Sequence, residues 1–336
     1  MKRLVALLVI TLVWVGGAAA QGIEKLTVRL DWTPWGSHGP IHLANAKGWF
    51  KAAGLEVEVE DGNGSVTTAQ LVGSSRFDIG HASLAPMIIA RDKGLELKAI
   101  ASFLRKNDIG LLVPKGSPIK TPRDLAGKKL IFTTGSLEAP FLDTFLGSGA
   151  LKREQVELVA VEAAAKVPSY IAQRGDGVFS SVPFVVPAVA ASRASDAILF
   201  ADHGLQFPSF GLIASDEKIK ARGAAIGRFA SIVAGAWEYI YAGNQDEAVQ
   251  AIVAARPQAK LDPKVLQAQI DAVREFLNTD ASKGQPIGVS LEADWVAGLK
   301  TMSDGKLIKS GAKTSDFYTN SLLDASLMKR IAGGGK

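Results

Sequence analysis

Segments of period-two alternation are interleaved, along the first hundred residues, with segments where apolar residues recur every three or four positions. Leu26–Leu30 and the strictly alternating Leu55–Glu60 (LEVEVE) predict strands. Pro34 and Gly36 break the first strand, and Gly39–Ala53 is expected to be one helix with Gly54 as its C-terminal cap. Past the loop Asp61–Gly64 (DGNG) come a short helix near Ser65–Val72 and a buried strand at Phe77–Gly80. A helix over Ser83–Lys93, ending at Gly94, and a strand at Leu97–Phe103 complete this run.

A second run begins after the polar break Arg105–Asp108. Strands are expected at Gly110–Val113, Lys129–Phe132, Val156–Val161, Val178–Phe179 and Ala197–Phe200. Helices near Pro122–Ala126, Leu137–Gly147, Lys166–Arg174 and Val185–Ala191 fill the gaps, and Phe210–Ala214 is the strand that leaves this run. From Ala224 the pattern turns helical. Ile226, Phe229, Ile232, Val233, Trp237 and Ile240 mark one helix face, followed by Asp246–Ala255, Pro263–Leu277 and Leu291–Met302. Strand–helix alternation is the signature of open α/β sheets with mostly parallel strands. The expected architecture has lobe I from 21–107 and 209–336, with lobe II (108–208) inserted between. Chain crossings near 104–109 and 207–210 form a two-stranded hinge. A cleft between two lobes is a common small-molecule site, and hinge closure buries the ligand.

A length of 336 residues suits two lobes, and 47% apolar with 21% charged residues excludes a disordered or fibrous chain. The net charge of +5 is spread without a run of five like charges, which argues against a nucleic-acid partner. The absence of cysteine excludes disulfides, thiolate zinc sites, iron–sulfur clusters and a Cys nucleophile. Lys2 and Arg3, the apolar stretch Leu4–Val15 and Ala18-Ala19-Ala20 form a signal peptide over 1–20, cut after Ala20. The stretch is too short for a membrane span, and a lipoprotein needs a Cys after the cut. A free periplasmic protein is the expectation.

Leu30-Asp31-Trp32-Thr33-Pro34, His38, Ala46-Lys47-Gly48-Trp49-Phe50 and Gly54-Leu55-Glu56-Val57 together resemble the NMT1/THI5-like solute-binding proteins of ABC importers, the thiamine-pyrimidine precursor group related to SsuA. Phe77-Asp78-Ile79-Gly80, Ala90–Gly94, Ser117–Leu130 and Gly175-Asp176-Gly177 continue that resemblance over most of the chain. It implies the class II periplasmic binding protein fold, a small-molecule ligand, an ABC permease as partner, and no cofactor. A pyrimidine thiamine precursor is the first ligand expected; sulfonates, nitrate, riboflavin and aromatic carboxylates are bound elsewhere in the wider group. Eukaryotic members of the THI5 branch make the pyrimidine with an iron-associated CCCFC stretch, which a chain without Cys does not carry. The Asn usual after the Pro is replaced by Trp35.

Ligands of open α/β sheets sit at the carboxyl ends of strands, which places Asp31 and Trp32 well. Trp32 offers a stacking face and Asp31 an acceptor; the alternatives are a core Trp and a helix-capping Asp. Trp35 and His38 are further candidate contacts. His38 and His42 at i, i+4 would share a helix face, but without an adjacent Glu they make no zinc motif, so no metal site is expected. Asn63, Gly64 and Ser65, then Ser83, and on the second lobe Thr134, Gly135 and Ser136, occupy strand-to-helix turns whose backbone N–H groups favour polar ligand atoms. Phe179, Ser180 and Phe184 would supply an aromatic clamp, with a core role as the alternative. For an anionic ligand Arg29, Arg76, Arg105 and Arg174 are available. P-loop, G-x-S-x-G and H-E-x-x-H motifs are absent, so no catalytic residues are expected. A sensor module for a membrane receptor would share the same sequence features.

Overall fold

Among the described residues, 22–335 of a computed structural model, ten strands form two five-stranded sheets. The expected signal peptide lies outside this range. The first sheet holds β1 (Glu24–Arg29), β2 (Leu55–Glu60), β3 (Ile79–Ser83), β4 (Leu97–Ser102) and β10 (Phe210–Ser215), in the order β2-β1-β3-β10-β4. The second holds β5 (Ile109–Pro114), β6 (Lys129–Phe132), β7 (Glu157–Ala160), β8 (Gly177–Ser181) and β9 (Ser195–Leu199), in the order β7-β6-β8-β5-β9. Each sheet combines four strands in one direction with one reversed strand, β10 in the first and β5 in the second. These are the strands that carry the chain between the sheets. The two sheets with their helices form the two-lobed periplasmic binding protein fold.

Helices α1 (Gly39–Ala46), α2 (Trp49–Ala52), α3 (Ser65–Gly73) and α4 (Leu84–Asp92) accompany the first sheet. Helices α5 (Leu142–Ser148), α6 (Lys166–Ile171) and α7 (Val182–Val189) accompany the second. The single helix expected over Gly39–Ala53 is two, because Gly48 stands at φ +69° and breaks the hydrogen-bond ladder. The strand expected at Phe77–Gly80 begins instead at Ile79, and Phe77-Asp78 form the approach to it. Asp78 is held there by Thr27, with Lys218 and Arg222 against its carboxylate.

The helical return comprises α8 (Asp216–Tyr241), α9 (Gln245–Ala255), α10 (Pro263–Val273), α11 (Glu292–Asp304), α12 (Thr314–Phe317) and α13 (Ala325–Ala332). Ser215, Asp262 and Asp324 cap α8, α10 and α13 by accepting from backbone N–H groups. The apolar stripe of α8 is core, with Ile226, Phe229, Ile232 and Trp237 fully buried.

The two crossings between sheets pair with each other. Ser209 N donates to Leu104 O (2.9 Å), while Phe103 N and Leu104 N donate to Phe210 O (2.8 and 3.0 Å). Asp108, fully buried beside this junction, accepts from Ser209 on the returning strand and from Ser181 at the end of β8. Burial pushes its carboxyl up to about 6, against those two hydrogen bonds.

Candidate functional site

The loop after β1 lies at the carboxyl end of its strand and is pinned by backbone bonds to the loop after β2. Gly62 N donates to Trp32 O (3.0 Å) and Gly64 N to Asp31 O (2.6 Å). This fixes Asp31 (3% exposed) toward the second sheet, where a small cavity is lined by Asp31, Trp32, Trp35, Ser136, Leu137, Ser180, Ser181, Phe184 and Phe210. The aromatic wall packs edge to face. Trp35 meets Phe184 at 5.7 Å and Phe210 at 5.6 Å, and Trp32 meets Phe184 at 6.3 Å. The indole Nε1 atoms of Trp32 and Trp35 are buried without hydrogen-bond partners.

Behind the cavity floor, Asp31 Oδ1 receives two imidazoles. His38 Nε2 lies at 2.9 Å and His81 Nδ1 at 2.7 Å, with the two rings perpendicular and 5.3 Å apart. His81 stands in β3, stacks on Phe210, and has Ser37 Oγ 3.3 Å from its Nε2. Burial alone would push the Asp31 carboxyl up, but the hydrogen bonds from His38 and His81 outweigh it and hold it well below the usual carboxylate range. Burial pulls the His38 imidazole down despite Asp31, and takes His42 down to about 3. The i, i+4 pairing of His38 with His42 does not form: His38 ends a 3-10 turn ahead of α1 and faces Asp31, while His42 is packed with Nε2 unpartnered.

On the second sheet's side, Lys166 and Glu138 form a fully buried ion pair, Nζ to Oε1 2.7 Å. Ser136 Oγ donates to Glu138 (2.5 Å) and accepts from Lys166 (3.2 Å), and Thr133 N donates to Glu138 (3.1 Å). The Lys166 ammonium sits 4.8 Å from the Trp32 ring centre, a cation–π contact across the cleft. Burial lowers the Lys166 pKa, with Glu138 opposing the shift.

Two hydrogen bonds cross the cleft and hold it shut. Val66 N donates to Gly135 O (3.1 Å), and Gln269 of α10, positioned within its own lobe by accepting from Gly36 N (2.9 Å), donates to Phe184 O (2.9 Å). Gly64, at φ +153°, lies so close to Gly135 that a Cβ there would fall 1.9 Å from the Gly135 oxygen. In this closed form the cavity measures about 10 Å³, room for one water and far below the ~300 Å³ of small ligand pockets. A solute larger than one water does not fit this cavity unless the lobes part.

The residues expected at the site divide. Asp31, Trp32, Trp35, Ser136, Ser180 and Phe184 line the cavity; Gly64 and Gly135 form the inter-lobe contact; His38 lies one layer behind. Thr134 faces a separate rim groove of about 410 Å³ between Val66, Ile89 and Arg153. Ser65 accepts from Ser83 N (3.0 Å), Ser83 Oγ is buried without a partner, and Asn63 is exposed. Phe179 belongs to the core: it is fully buried, edge-on to Phe145 and Phe200, because alternation along β8 turns it away from Ser180. Arg29 pairs with Glu60, Arg105 anchors the 278–289 loop, Arg76 and Arg174 are exposed, and none of the four lines the cavity. Ser181, Phe210, Lys166, Glu138 and Gln269 were missed as partners of the cleft. Ser37, His81 and Asp31 have the connectivity of a Ser-His-Asp relay, but Ser37 is buried and outside the cavity lining. A larger cavity of about 880 Å³ lies wholly in the helical return, lined by Tyr241, Arg274, Leu277, Ile287 and Met328, away from the strand ends.

This cleft lies between the two lobes of a periplasmic binding protein fold and is closed on two tryptophans and a buried carboxylate. The profile of the family described as NMT1/THI5 like matches residues 35–248, and the chain belongs to that family. It is 22% identical over 280 residues to the formylaminopyrimidine-binding protein of Halalkalibacterium halodurans, covering 82% of this chain and 83% of that one. The yeast 4-amino-5-hydroxymethyl-2-methylpyrimidine phosphate synthase THI11 (Saccharomyces cerevisiae) is 30% identical over 149 residues, 44% of this chain. The match spans only 43% of that enzyme. Among solved structures, a Bordetella bronchiseptica RB50 protein superposes with a TM-score of 0.71 at 22% identity, covering 92% of this chain and 97% of its own. The alkanesulfonate-binding protein SsuA of Xanthomonas axonopodis pv. citri, bound to MOPS, gives 0.66 at 15% identity, covering 91% and 99%. No helix among the described residues is long and apolar enough to cross a membrane.

Proposed function

We propose that this chain is the periplasmic solute-binding component of an ABC importer, and that its solute is a planar, amino-bearing nitrogen heterocycle of the thiamine-pyrimidine type. One observation carries the choice of solute. Among the described residues, the only charged side chain lining the cavity is the Asp31 carboxylate, set among four aromatic rings, with no arginine in the lining. An ionised carboxylate accepts from a ring amino group and repels a sulfonate or nitrate. The aromatic rings favour a flat solute.

The mechanism is capture by closure. The solute enters the open form and stacks against the tryptophans of the first lobe, donating to Asp31. His38 and His81 hold the carboxylate in place through Oδ1, and no hydrogen bond among the described residues goes to Oδ2. Rotation about the paired crossings then brings Ser136, Ser180, Ser181 and Phe184 over it. The permease would recognise the closed form. Lobe I takes 21–107 and 209–336, lobe II takes 108–208, and the signal peptide is removed to leave a free monomer. The chain performs no turnover.

A thermal-shift screen of the chain from Gln21 onward tests this, with hydroxymethyl- and formylamino-pyrimidines against alkyl sulfonates, nitrate, riboflavin and aromatic carboxylates. A ligand at a hundred times its Kd stabilises the fold by about 2.7 kcal/mol. A shift with a pyrimidine, lost in Trp32→Ala, is expected. A shift with sulfonates or nitrate alone would overturn the solute assignment, and conversion of a bound pyrimidine would overturn the absence of turnover.

A further inference from the structure

Two of the four histidines of this chain aim ring nitrogens at one buried carboxylate. We infer that Asp31, His38 and His81 form a binding site for one divalent transition-metal ion of the zinc or cobalt class. The three donor atoms come from three separate structural elements and lie within 4.8 Å of one another, each on a residue no more than 3% exposed. Two imidazoles and a carboxylate are the donor set of many such sites.

The two Asp31 contacts need little change. In tetrahedral coordination at 2.0–2.1 Å, neighbouring donor atoms stand about 3.3 Å apart. Asp31 Oδ1 now lies 2.9 Å from His38 Nε2 and 2.7 Å from His81 Nδ1, so each contact widens by about half an ångström. The ion would replace the two N–H protons that join these atoms. Asp31 Oδ2 stays free for the solute, and a water would complete four ligands. An outer partner is in place too, because Ser37 Oγ stands 3.3 Å from His81 Nε2, the nitrogen left to carry the ring proton.

Charge points the same way. Among the described residues, Asp31 is a buried anion whose ion-pair partners are the two imidazoles alone, with no Lys or Arg against it. The buried cation across the cleft, Lys166, is already matched by Glu138. A buried charge without a cation is costly, and a divalent ion at this point would neutralise it. His42 and His203 make no hydrogen bond or ion pair with Asp31, so each is a built-in control.

The inference does not rest on the pyrimidine assignment, since metal uptake is measured with no organic solute. The tag-free chain from Gln21 is stripped with EDTA and titrated with Co²⁺, then with Zn²⁺, following visible d–d bands, bound metal by mass spectrometry, and Tm. One equivalent is expected, with four-coordinate Co²⁺ bands and a rise in Tm. His81→Gln and His38→Gln should each weaken binding at least about 100-fold, Ser37→Ala about tenfold, and His42→Gln and His203→Gln not at all. Two independent ligand variants keep the test decisive if one fails to fold, as judged by circular dichroism. Absence of cobalt bands in the wild-type chain, or uptake unchanged in folded His81→Gln or His38→Gln, would overturn the site.

Discussion

Gly64→Ala should separate folding of the lobes from their closure. In the closed form the new methyl would lie 1.9 Å from the Gly135 carbonyl oxygen and 2.4 Å from its carbon. Carbon and oxygen do not approach much closer than about 3.3 Å, so the two backbones must part by more than an ångström at the cleft mouth. The Val66 N to Gly135 O bond then breaks, worth about 1 kcal/mol or fivefold in affinity. The overlap itself adds to this, and a solute affinity at least tenfold weaker is expected, by calorimetry. Positive φ at position 64 separately costs the fold roughly 1–3 kcal/mol in open and closed forms alike. The discriminating readout is therefore the solute-induced decrease in radius of gyration by X-ray scattering, which should vanish in the variant while the melt stays cooperative. Gly135→Ala is the milder comparison, because its Cβ meets only the rotatable Thr67 hydroxyl at 2.5 Å. A Gly64→Ala protein that binds and compacts like the wild type would refute this account of closure.

Asp108→Asn should stabilise the protein at pH 7.5 and leave it nearly unchanged at pH 4. The folded carboxyl keeps its proton up to about 6 while the unfolded one loses it near 3.8, so stability declines between those values and is flat above. The gain is on the order of 2–3 kcal/mol in urea melts; a variant whose advantage is greater at pH 4 would contradict the burial of that charge. Lys166→Met leaves Glu138 buried and unpaired and should cost roughly 3–5 kcal/mol in denaturant melts. Adding Glu138→Gln should recover most of that loss, and no recovery would show that the two residues do not act as a pair. Phe179→Ala should cost stability by roughly 3–5 kcal/mol while solute affinity per folded molecule stays unchanged; selective loss of affinity would return Phe179 to the cleft.

Local patterns in the chain were enough for most of the fold. LEVEVE predicted β2 to the residue, and the Lys129–Phe132 strand also has the expected bounds. Patterns that depend on partners were less readable. Ile79–Ser83 (IGHAS) is buried at every position and carries no alternation, so β3 was placed two residues early. The segment Gly39–Ala53 reads as continuously helical because nothing local says that Gly48 takes a left-handed conformation.

The site was half legible. Asp31 and Trp32 follow from their place after a strand, and Ser136, Ser180 and Phe184 from the matching turns of the second sheet. The ion pair was not, since Lys166 and Glu138 lie 28 residues apart and charged side chains are ordinarily exposed. His81 reaches Asp31 only because β3 lies beside β1, a neighbourhood that spacing along the chain cannot supply. The i, i+4 rule paired His38 with His42 instead, on a helix that begins only after His38.

The most direct test of the central claim is calorimetric titration of 4-amino-5-hydroxymethyl-2-methylpyrimidine into wild-type and Asp31→Asn protein at neutral pH. One solute per chain is expected for the wild type, with at least tenfold weaker binding once the carboxylate is gone. Equal affinity in the two proteins, or no binding to the wild type, would contradict a cleft built around a buried acceptor for an amino-bearing ring.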